Sequence, residues 1–168
     1  MQARVNNMIK SKGVFITNIF GETQRLGEEF AKDIVKRHPP GVVLIALHGE
    51  LGSGKTTFVQ GIARGLRIKR RIISPTFVIV RRYKLKSQMS KLKSTSQIFK
   101  LFYHIDLYRV ENAKQIETLG IGEILKDPKN IVAIEWAEKM GKLLPKKRWD
   151  IEFEYLEEDK RKIFVVSS

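Results

Sequence analysis

The chain has 168 residues, a hydrophobic fraction of 42% and a formal net charge of +14, which predict one globular domain over residues 1–168 and exclude a disordered chain. The sequence has no cysteine, which excludes disulfides, thiolate metal sites and cysteine nucleophiles. No apolar run approaches the roughly 20 residues of a membrane helix, and residues 1–12 lack the apolar core of a signal peptide, so we expect a cytoplasmic protein.

Apolar spacing predicts strands that alternate with helices along the chain. In chain order the predicted elements are a strand at 14–19, a helix at 22–37, strands at 42–47, a helix at 55–66, extended chain at 73–83, a strand at 98–108, one broken helix or two short ones at 113–126, a strand at 131–135, and strands at 149–156 and 162–166 that form a hairpin. Residues 1–12 are expected to be flexible, and 84–97 to be a basic loop or hairpin tip. This alternation indicates a layered α/β fold with a largely parallel sheet in its middle.

A phosphate-binding loop is predicted between the second strand and the helix that follows it. Residues 49–56 read Gly-Glu-Leu-Gly-Ser-Gly-Lys-Thr and fit G-x-x-x-x-G-K-[ST] without a mismatch. The glycines permit turns that direct N–H groups at a phosphate, and the helix adds its positive N-terminal end. Lys55 is expected to reach the β- and γ-phosphates and Thr56 to bind Mg2+, whereas the structural alternative is a glycine-rich turn without a ligand. The predicted nucleotide contacts in this loop are Glu50, Leu51, Gly52, Ser53, Gly54, Lys55, Thr56 and Thr57.

Two acidic residues that end apolar strands are candidates for the metal site. Asp106 follows residues 99–105, and Glu135 follows residues 131–134. A P-loop protein needs an acidic residue at a strand end to hold Mg2+, usually through water. Either residue, or both in one cleft, fits this role, and capping of the next helix is the alternative for each. Trp136 is interpreted as a core aromatic residue in preference to a ligand contact.

Two further segments are open to more than one interpretation. Residues 74–76, Ser-Pro-Thr, are either a switch that senses the γ-phosphate or a capped turn. Residues 51–105 contain thirteen basic residues and no acidic one, so the rest of the chain has 19 basic and 18 acidic residues. Such a block attracts nucleic acid or an acidic protein surface, but a solvated loop that only aids solubility is an equally good interpretation.

Taken together, these segments resemble the TsaE family, also called YjeE, of small bacterial P-loop ATPases. The resemblance rests on residues 49–57, 74–77, 104–109 and 134–136, on Thr23 with residues 26–27, and on residues 144–145. It implies a P-loop NTPase-like three-layer sandwich, whose mostly parallel central sheet carries antiparallel strands or a hairpin at its edge. It also implies ATP and Mg2+ as cofactors.

The resemblance implies a role in forming threonylcarbamoyladenosine in tRNA. Family members bind the TsaB–TsaD pair, hydrolyse ATP weakly when alone, and are thought to reset that complex between turnovers. The residues implied are Lys55, Asp106 and Glu135 for catalysis, Thr56, Asp106 and Glu135 for the metal, and Thr23 and Arg161, or its neighbour Lys160, near the nucleotide.

The central basic segment departs from the family pattern. Residues 84–100 are longer and more basic than the short hairpin of the family, and the basic segment 64–100 is a candidate for contact with tRNA. Two other functions fit the same motifs: a small kinase of a metabolite or nucleoside, with residues 81–93 as a lid, and a nucleotide-gated RNA-binding module. The lack of an N/T-K-x-D guanine motif favours ATP over GTP.

Overall fold

The computed structural model describes residues 12–37, 39–70, 72, 79–85 and 99–168. In chain order its elements are β1 (Lys12–Thr17), α1 (Phe20–Arg37), β2 (Val43–His48), α2 (Lys55–Gly65), β3 (Val80–Lys84), β4 (Leu101–Asp106), α3 (Ala113–Thr118), α4 (Ile121–Lys126), β5 (Asn130–Glu135), a 3-10 segment (Ala137–Leu143), β6 (Trp149–Glu157) and β7 (Lys160–Ser167). Within these ranges no helix has the length and apolar character to cross a membrane.

All seven strands belong to one sheet, in the order β1-β7-β6-β2-β5-β4-β3. The four inner strands β6, β2, β5 and β4 run parallel to one another, whereas β3 pairs antiparallel with β4 at one edge. At the other edge the β6–β7 hairpin and β1 pair antiparallel. The predicted sheet, mostly parallel with antiparallel strands at its edges, is therefore confirmed.

Helices cover both faces of the sheet. In β2, Val43, Ile45 and Leu47 pack into one core with α1 and α2, while Leu44 and Ala46 pack into a second core with α3, α4 and the 3-10 segment. A strand that buries side chains on both faces has a continuous apolar sequence, as this strand does. The result is the predicted three-layer α/β sandwich.

The two helices on the first face pack with their backbones in contact. A Cβ atom at Gly27 of α1 would lie 2.2 Å from the carbonyl oxygen of Phe58, and one at Gly61 of α2 would lie 2.0 Å from that of Gln24. Only glycine allows so close an approach. Because α2 begins at Lys55, this packing fixes the direction in which the N-terminal end of the helix points.

Several predicted boundaries need correction. β1 ends at Thr17 instead of residue 19, because the backbone N–H of Asn18 donates to the Glu22 carboxylate at 2.7 Å in the turn that leads into α1. For 113–126, where one broken helix or two short ones were predicted, the second alternative is confirmed: α3 and α4 are separated at Gly120, which has a φ of 67°. The strand predicted at 98–108 spans only Leu101–Asp106, since the chain turns there: the Asp106 carboxylate accepts from the backbone N–H of Tyr108, and the N–H of Val110 donates to the carbonyl of Leu107.

Some predictions concern parts of the chain outside the described residues. These are the flexible segment up to residue 11, the Ser-Pro-Thr switch at 74–76 and most of the basic tip at 86–97. Lys12 itself is the first residue of β1. The extended segment predicted at 73–83 is described from residue 79, where it leads into β3.

Candidate phosphate-binding site

The loop at 49–56 joins the carboxyl end of β2 to the first turn of α2. Gly49 and Gly54 have φ angles of 127° and 106°, in the left-handed region that favours glycine. A Cβ atom at Gly49 would also lie 2.5 Å from the carbonyl oxygen of Phe153 in β6, so a larger residue would displace the loop. The loop conformation therefore follows from its glycines, as the pattern predicts.

Lys55 directs a buried ammonium group into this loop. The residue is 4% exposed, and its Nζ donates to the carbonyl oxygens of Gly49 at 2.6 Å and Glu50 at 2.8 Å. The same Nζ lies 4.1 Å from the centroid of the Trp136 ring. Burial lowers the pKa of Lys55, and the nearby Glu135 opposes that change. A buried cation of this kind is stabilised by an anionic ligand.

Glu135 is held at both of its carboxylate oxygens. Thr56, the second residue of α2, donates its hydroxyl to Oε2 at 2.9 Å, and His104 Nε2 lies 2.7 Å from Oε1. His104 is fully buried and Glu135 is 3% exposed. A carboxylate oxygen can only accept a hydrogen bond, so Nε2 carries the proton when Glu135 is ionised. Within the described part of the chain, His104 Nδ1 has no partner.

Asp106 ends β4 beside Glu135, which ends β5. The two residues are register partners in a parallel pair, and adjacent strands lie about 4.8 Å apart. Asp106 Oδ1 accepts from the backbone N–H of Tyr108 at 3.0 Å, so this carboxylate also stabilises the turn after β4. It does not cap the next helix, because the side chain of Asn112 accepts from the N–H of Gln115 there.

One cavity of about 410 Å³ brings the loop and the two carboxylates together. This volume lies in the range of small-molecule sites. The residues that line it are Leu51, Gly52, Ser53, Gly54, Lys55, Thr56, Thr57, Ile79, Asp106, Tyr108, Arg109, Glu135 and Trp136. Lys55, Thr56, Asp106 and Glu135, singled out in the sequence, therefore meet in a single cavity.

Trp136 is both a packing residue and a wall of the cavity. Its ring centroid lies 5.2 Å from that of Tyr108, and the side chain also contacts the core on the α3 side of the sheet. The residue has a φ of 59°, which turns the chain sharply after β5. The sequence analysis predicted core packing for Trp136, but it did not predict the contact of Trp136 with Lys55.

Three predicted residues lie around the loop instead of lining the cavity. The methyl group of Thr23 lies 3.7 Å from the Cβ position at Gly54, while its hydroxyl is paired with that of Thr17 at 2.8 Å. Arg161 on β7 donates from Nη2 to the carbonyl oxygen of Gly52 at 3.2 Å. The side chain of Glu50 is exposed, and only its backbone carbonyl contacts Lys55.

His104, Tyr108 and Arg109 belong to the site although the sequence did not give them roles. All three lie in the His-x-Asp-x-Tyr-Arg segment at 104–109, whose spacing was the available signal. Tyr108 and Arg109 line the cavity because the turn after β4 folds over it. His104 belongs to the site through its contact with Glu135.

The oxygen donors at the cavity fit Mg2+. They are the hydroxyl of Thr56 and the carboxylates of Asp106 and Glu135, and oxygen is the ligand atom that Mg2+ prefers. In the described ranges no group of three or more His, Asp or Glu side chains is arranged to hold a metal ion. Mg2+ commonly binds through one or two carboxylates together with substrate phosphates and water.

The fold and the cavity define a class: an α/β protein of the P-loop NTPase fold, with the glycine-rich loop after a central strand. A crystal structure of Bacillus subtilis YdiB aligns with a TM-score of 0.65, covering 93% of this chain and 85% of that chain at 24% identity. At this identity the likeness shows the fold alone.

Sequence comparison then gives the family. The family model described as threonylcarbamoyl adenosine biosynthesis protein TsaE matches residues 18–163. A tRNA threonylcarbamoyladenosine biosynthesis protein TsaE from Haemophilus influenzae is 30% identical over 143 residues, which cover 85% of this chain and 82% of that protein. One from Aquifex aeolicus is 37% identical over 148 residues, covering 86% and 88% respectively. The chain belongs to the TsaE family, and the resemblance drawn from its motifs is confirmed.

Proposed function

We propose that this protein binds and hydrolyses ATP with Mg2+ as an accessory factor in forming threonylcarbamoyladenosine in tRNA, acting on a TsaB–TsaD complex in the cytoplasm. One observation carries the proposal: Lys55 and Thr56, at the N-terminus of α2, share a cavity with the carboxylates of Asp106 and Glu135. This arrangement combines a site for anions with ligands for a cation. Mg-ATP presents both kinds of group.

Binding of the triphosphate is assigned to the loop side of the cavity. The ammonium of Lys55 is buried and, among the described residues, donates to neutral oxygens alone, namely the carbonyls of Gly49 and Glu50 and, at 3.4 Å, the Ser53 hydroxyl. A phosphate oxygen would replace one of these neutral acceptors with a charged one, and hydrogen bonds between charged groups are stronger. The N-terminus of α2 adds unpaired N–H groups and positive partial charge.

Hydrolysis is assigned to the strand side of the cavity. Thr56, Asp106 and Glu135 are the residues that would hold Mg2+, which when bound neutralises charge on the phosphate oxygens. Glu135 keeps a fixed position because Thr56 and His104 engage both of its oxygens. A carboxylate fixed in this way can orient a water molecule for attack on the γ-phosphate, and positioning is most of what phosphoryl transfer requires.

The proposed partner proteins are inferred from membership of the TsaE family. The chain shares with TsaE proteins a role in threonylcarbamoyl adenosine biosynthesis, and a weak solitary ATPase that a TsaB–TsaD complex activates fits that role. Leu51 in the loop at 49–56 and Tyr108 in the turn after β4 line the cavity and have exposed side chains, so a partner can contact the site there. We therefore expect slow turnover by the isolated protein and faster turnover in the complex.

The decisive experiment measures binding and product separately. Calorimetry with Mg-ATP and Mg-ADP tests the site, and phosphate release with and without cognate TsaB and TsaD tests the reaction. We expect heat of binding, slow release of free phosphate, and an increase when both partners are present. Absence of binding to the folded protein would refute the proposal. Appearance of a phosphorylated acceptor in place of free phosphate would favour a small kinase.

A further inference from the structure

A second cavity, of about 370 Å³, lies away from the loop at 49–56 and is lined by five basic residues together with Ile68 and Tyr83. We call it the basic groove after its five basic residues, which are Arg67, Lys69, Arg70, Arg82 and Lys84. All five residues are exposed. The groove is concave and charged, which distinguishes it from isolated lysines on a convex surface.

Two separate elements form the walls of the basic groove. Arg67, Lys69 and Arg70 follow the C-terminal end of α2, where the N–H of Ile68 donates to the carbonyl of Ala63 at 2.8 Å and turns the chain back. Arg82 and Lys84 lie two residues apart on the edge strand β3, so they project from the same face. Tyr83 between them also lines the groove and packs against Phe102 in the core that contains α1 and α2, so Arg82 and Lys84 project from the opposite face of β3 and border the groove at the edge of the sheet.

The charge of the basic groove is not neutralised by ion pairs within the described part of the chain. Among the described residues no ion pair includes any of the five cations, although such pairs occur on α1, on α4 and around Asp150. The sequence has no acidic residue from position 51 to 105, so the two segments that carry the five cations contain none. Like charges that converge without a counter-charge repel one another, and an external polyanion removes that cost.

The groove is separate from the nucleotide site. It lies at the C-terminal end of α2, whereas Lys55 begins that helix, and eleven residues at 1.5 Å each place the two ends about 16 Å apart. β3 joins the two places, since Ile79 immediately before it lines the nucleotide cavity and Lys84 at its end lines the groove. The basic groove and the phosphate loop are therefore two distinct sites.

We infer that the basic groove binds the phosphate backbone of RNA, and that this RNA is the tRNA whose modification the protein serves. The choice of tRNA rests on the proposed function, whereas the choice of a phosphate polyanion rests on the concave shape and on five cations that form no ion pair with any described residue. Three arginines favour phosphate, because the planar guanidinium can donate two parallel hydrogen bonds to its oxygens. An acidic protein surface is the competing partner, and the test separates it from RNA.

The test measures binding of a fluorescently labelled, unmodified tRNA transcript to the whole protein by anisotropy over a range of KCl concentrations. The groove variant is Arg82→Gln with Lys84→Gln. Its matched control is Lys142→Gln with Lys146→Gln, which removes the same charge from exposed positions in another part of the surface. Poly-glutamate, added as a competitor, stands for an acidic protein.

We expect the groove variant to bind tRNA about tenfold more weakly at roughly 0.1 M salt, and its salt slope to fall by about 2. The control variant should keep the affinity and slope of the wild type, and poly-glutamate should compete poorly. Arg67→Asn, which suits the φ of 57° at that position, should lower the slope by about 1.

Three results would overturn the inference: no tRNA binding at low salt, an equal loss in the control variant, or displacement of tRNA by poly-glutamate at matched charge. Calorimetry with Mg-ATP on the same variants keeps this outcome separate from the proposed function. A variant that loses RNA binding but still binds Mg-ATP tests the groove alone. Failure of the protein to bind Mg-ATP would bear on the phosphate loop alone.

Discussion

The two sides of the nucleotide cavity are built in different ways. The loop side is one short stretch of chain, in which glycines and Lys55 lie within eight positions of one another. The strand side combines residues that are far apart in sequence, because the parallel pairing of β4 with β5 brings Asp106 next to Glu135. Local sequence determines the first side, and tertiary register determines the second.

The same comparison separates two chemical tasks. The loop side presents a cation and the N-terminus of α2, both of which attract phosphate. The strand side presents carboxylates, which repel phosphate unless a metal ion lies between them. We therefore expect substitutions on the loop side to weaken nucleotide binding, and substitutions on the strand side to slow turnover with little change in binding.

The largest effect is expected on the loop side. Lys55→Met removes the buried ammonium but keeps an unbranched side chain of similar length that can pack against Trp136. A hydrogen bond to a charged group contributes about 1.5–3 kcal/mol, so Mg-ATP should bind about ten- to a hundredfold more weakly, and turnover should become undetectable. Calorimetry measures the first quantity and phosphate release the second. Lys142→Met, at an exposed position, is the control, and an unchanged affinity in Lys55→Met would contradict the assignment.

Substitutions on the strand side of the cavity should lower the rate of turnover. Glu135→Gln and Asp106→Asn each remove one negative charge while preserving size, and loss of one electrostatic contact in an active site typically slows catalysis by about a hundredfold. We expect the catalytic rate to fall by about that factor and the Mg-ATP affinity to change only a few-fold. Glu123→Gln, in which the altered carboxylate is largely exposed, serves as the control. If either variant keeps full activity, that carboxylate has no part in the reaction.

The difference between the two sides also explains what the sequence could predict. The loop conformation could be predicted because each glycine angle and the position of Lys55 follow from adjacent residues. The contact of His104 with Glu135 could not be predicted, because it depends on how β4 aligns with β5. Periodicity predicts that both segments are strands, but it carries no information on their register.

The sheet order gives a second example. The hairpin of β6 and β7 was predicted, but nothing local places β6 beside β2. That neighbour relation brings Phe153 against Gly49 and Arg161 against Gly52. The resemblance to the TsaE family implied that Arg161 lies near the nucleotide, and the structure places it on the loop backbone. Spacing alone does not predict this position, and the contact of Arg161 with a nucleotide stays a prediction.

The smallest effect concerns His104, which acts on the cavity only through Glu135. Its Nε2 donates to Oε1 at 2.7 Å, and Thr56 alone would hold the carboxylate if that donor were removed. In His104→Gln the side-chain amide nitrogen can replace Nε2 as the donor, whereas the leucine of His104→Leu fills the space without a donor. His104→Leu leaves a buried acceptor unsatisfied, which costs about 1–3 kcal/mol of folding stability.

Both His104 variants should therefore bind Mg-ATP normally, but only His104→Leu should turn over more slowly, by about tenfold, because its Glu135 is free to rotate away from the reacting groups. Turnover measured at saturating ATP, together with KM, separates this positioning role from a purely structural one. A structural role would lower the melting temperature of His104→Leu without changing the catalytic rate of the protein that remains folded. If His104→Leu and His104→Gln have equal rates after correction for the folded fraction, Thr56 is sufficient to position Glu135. The strand side of the cavity would then depend on long-range register only through the pairing of Asp106 with Glu135.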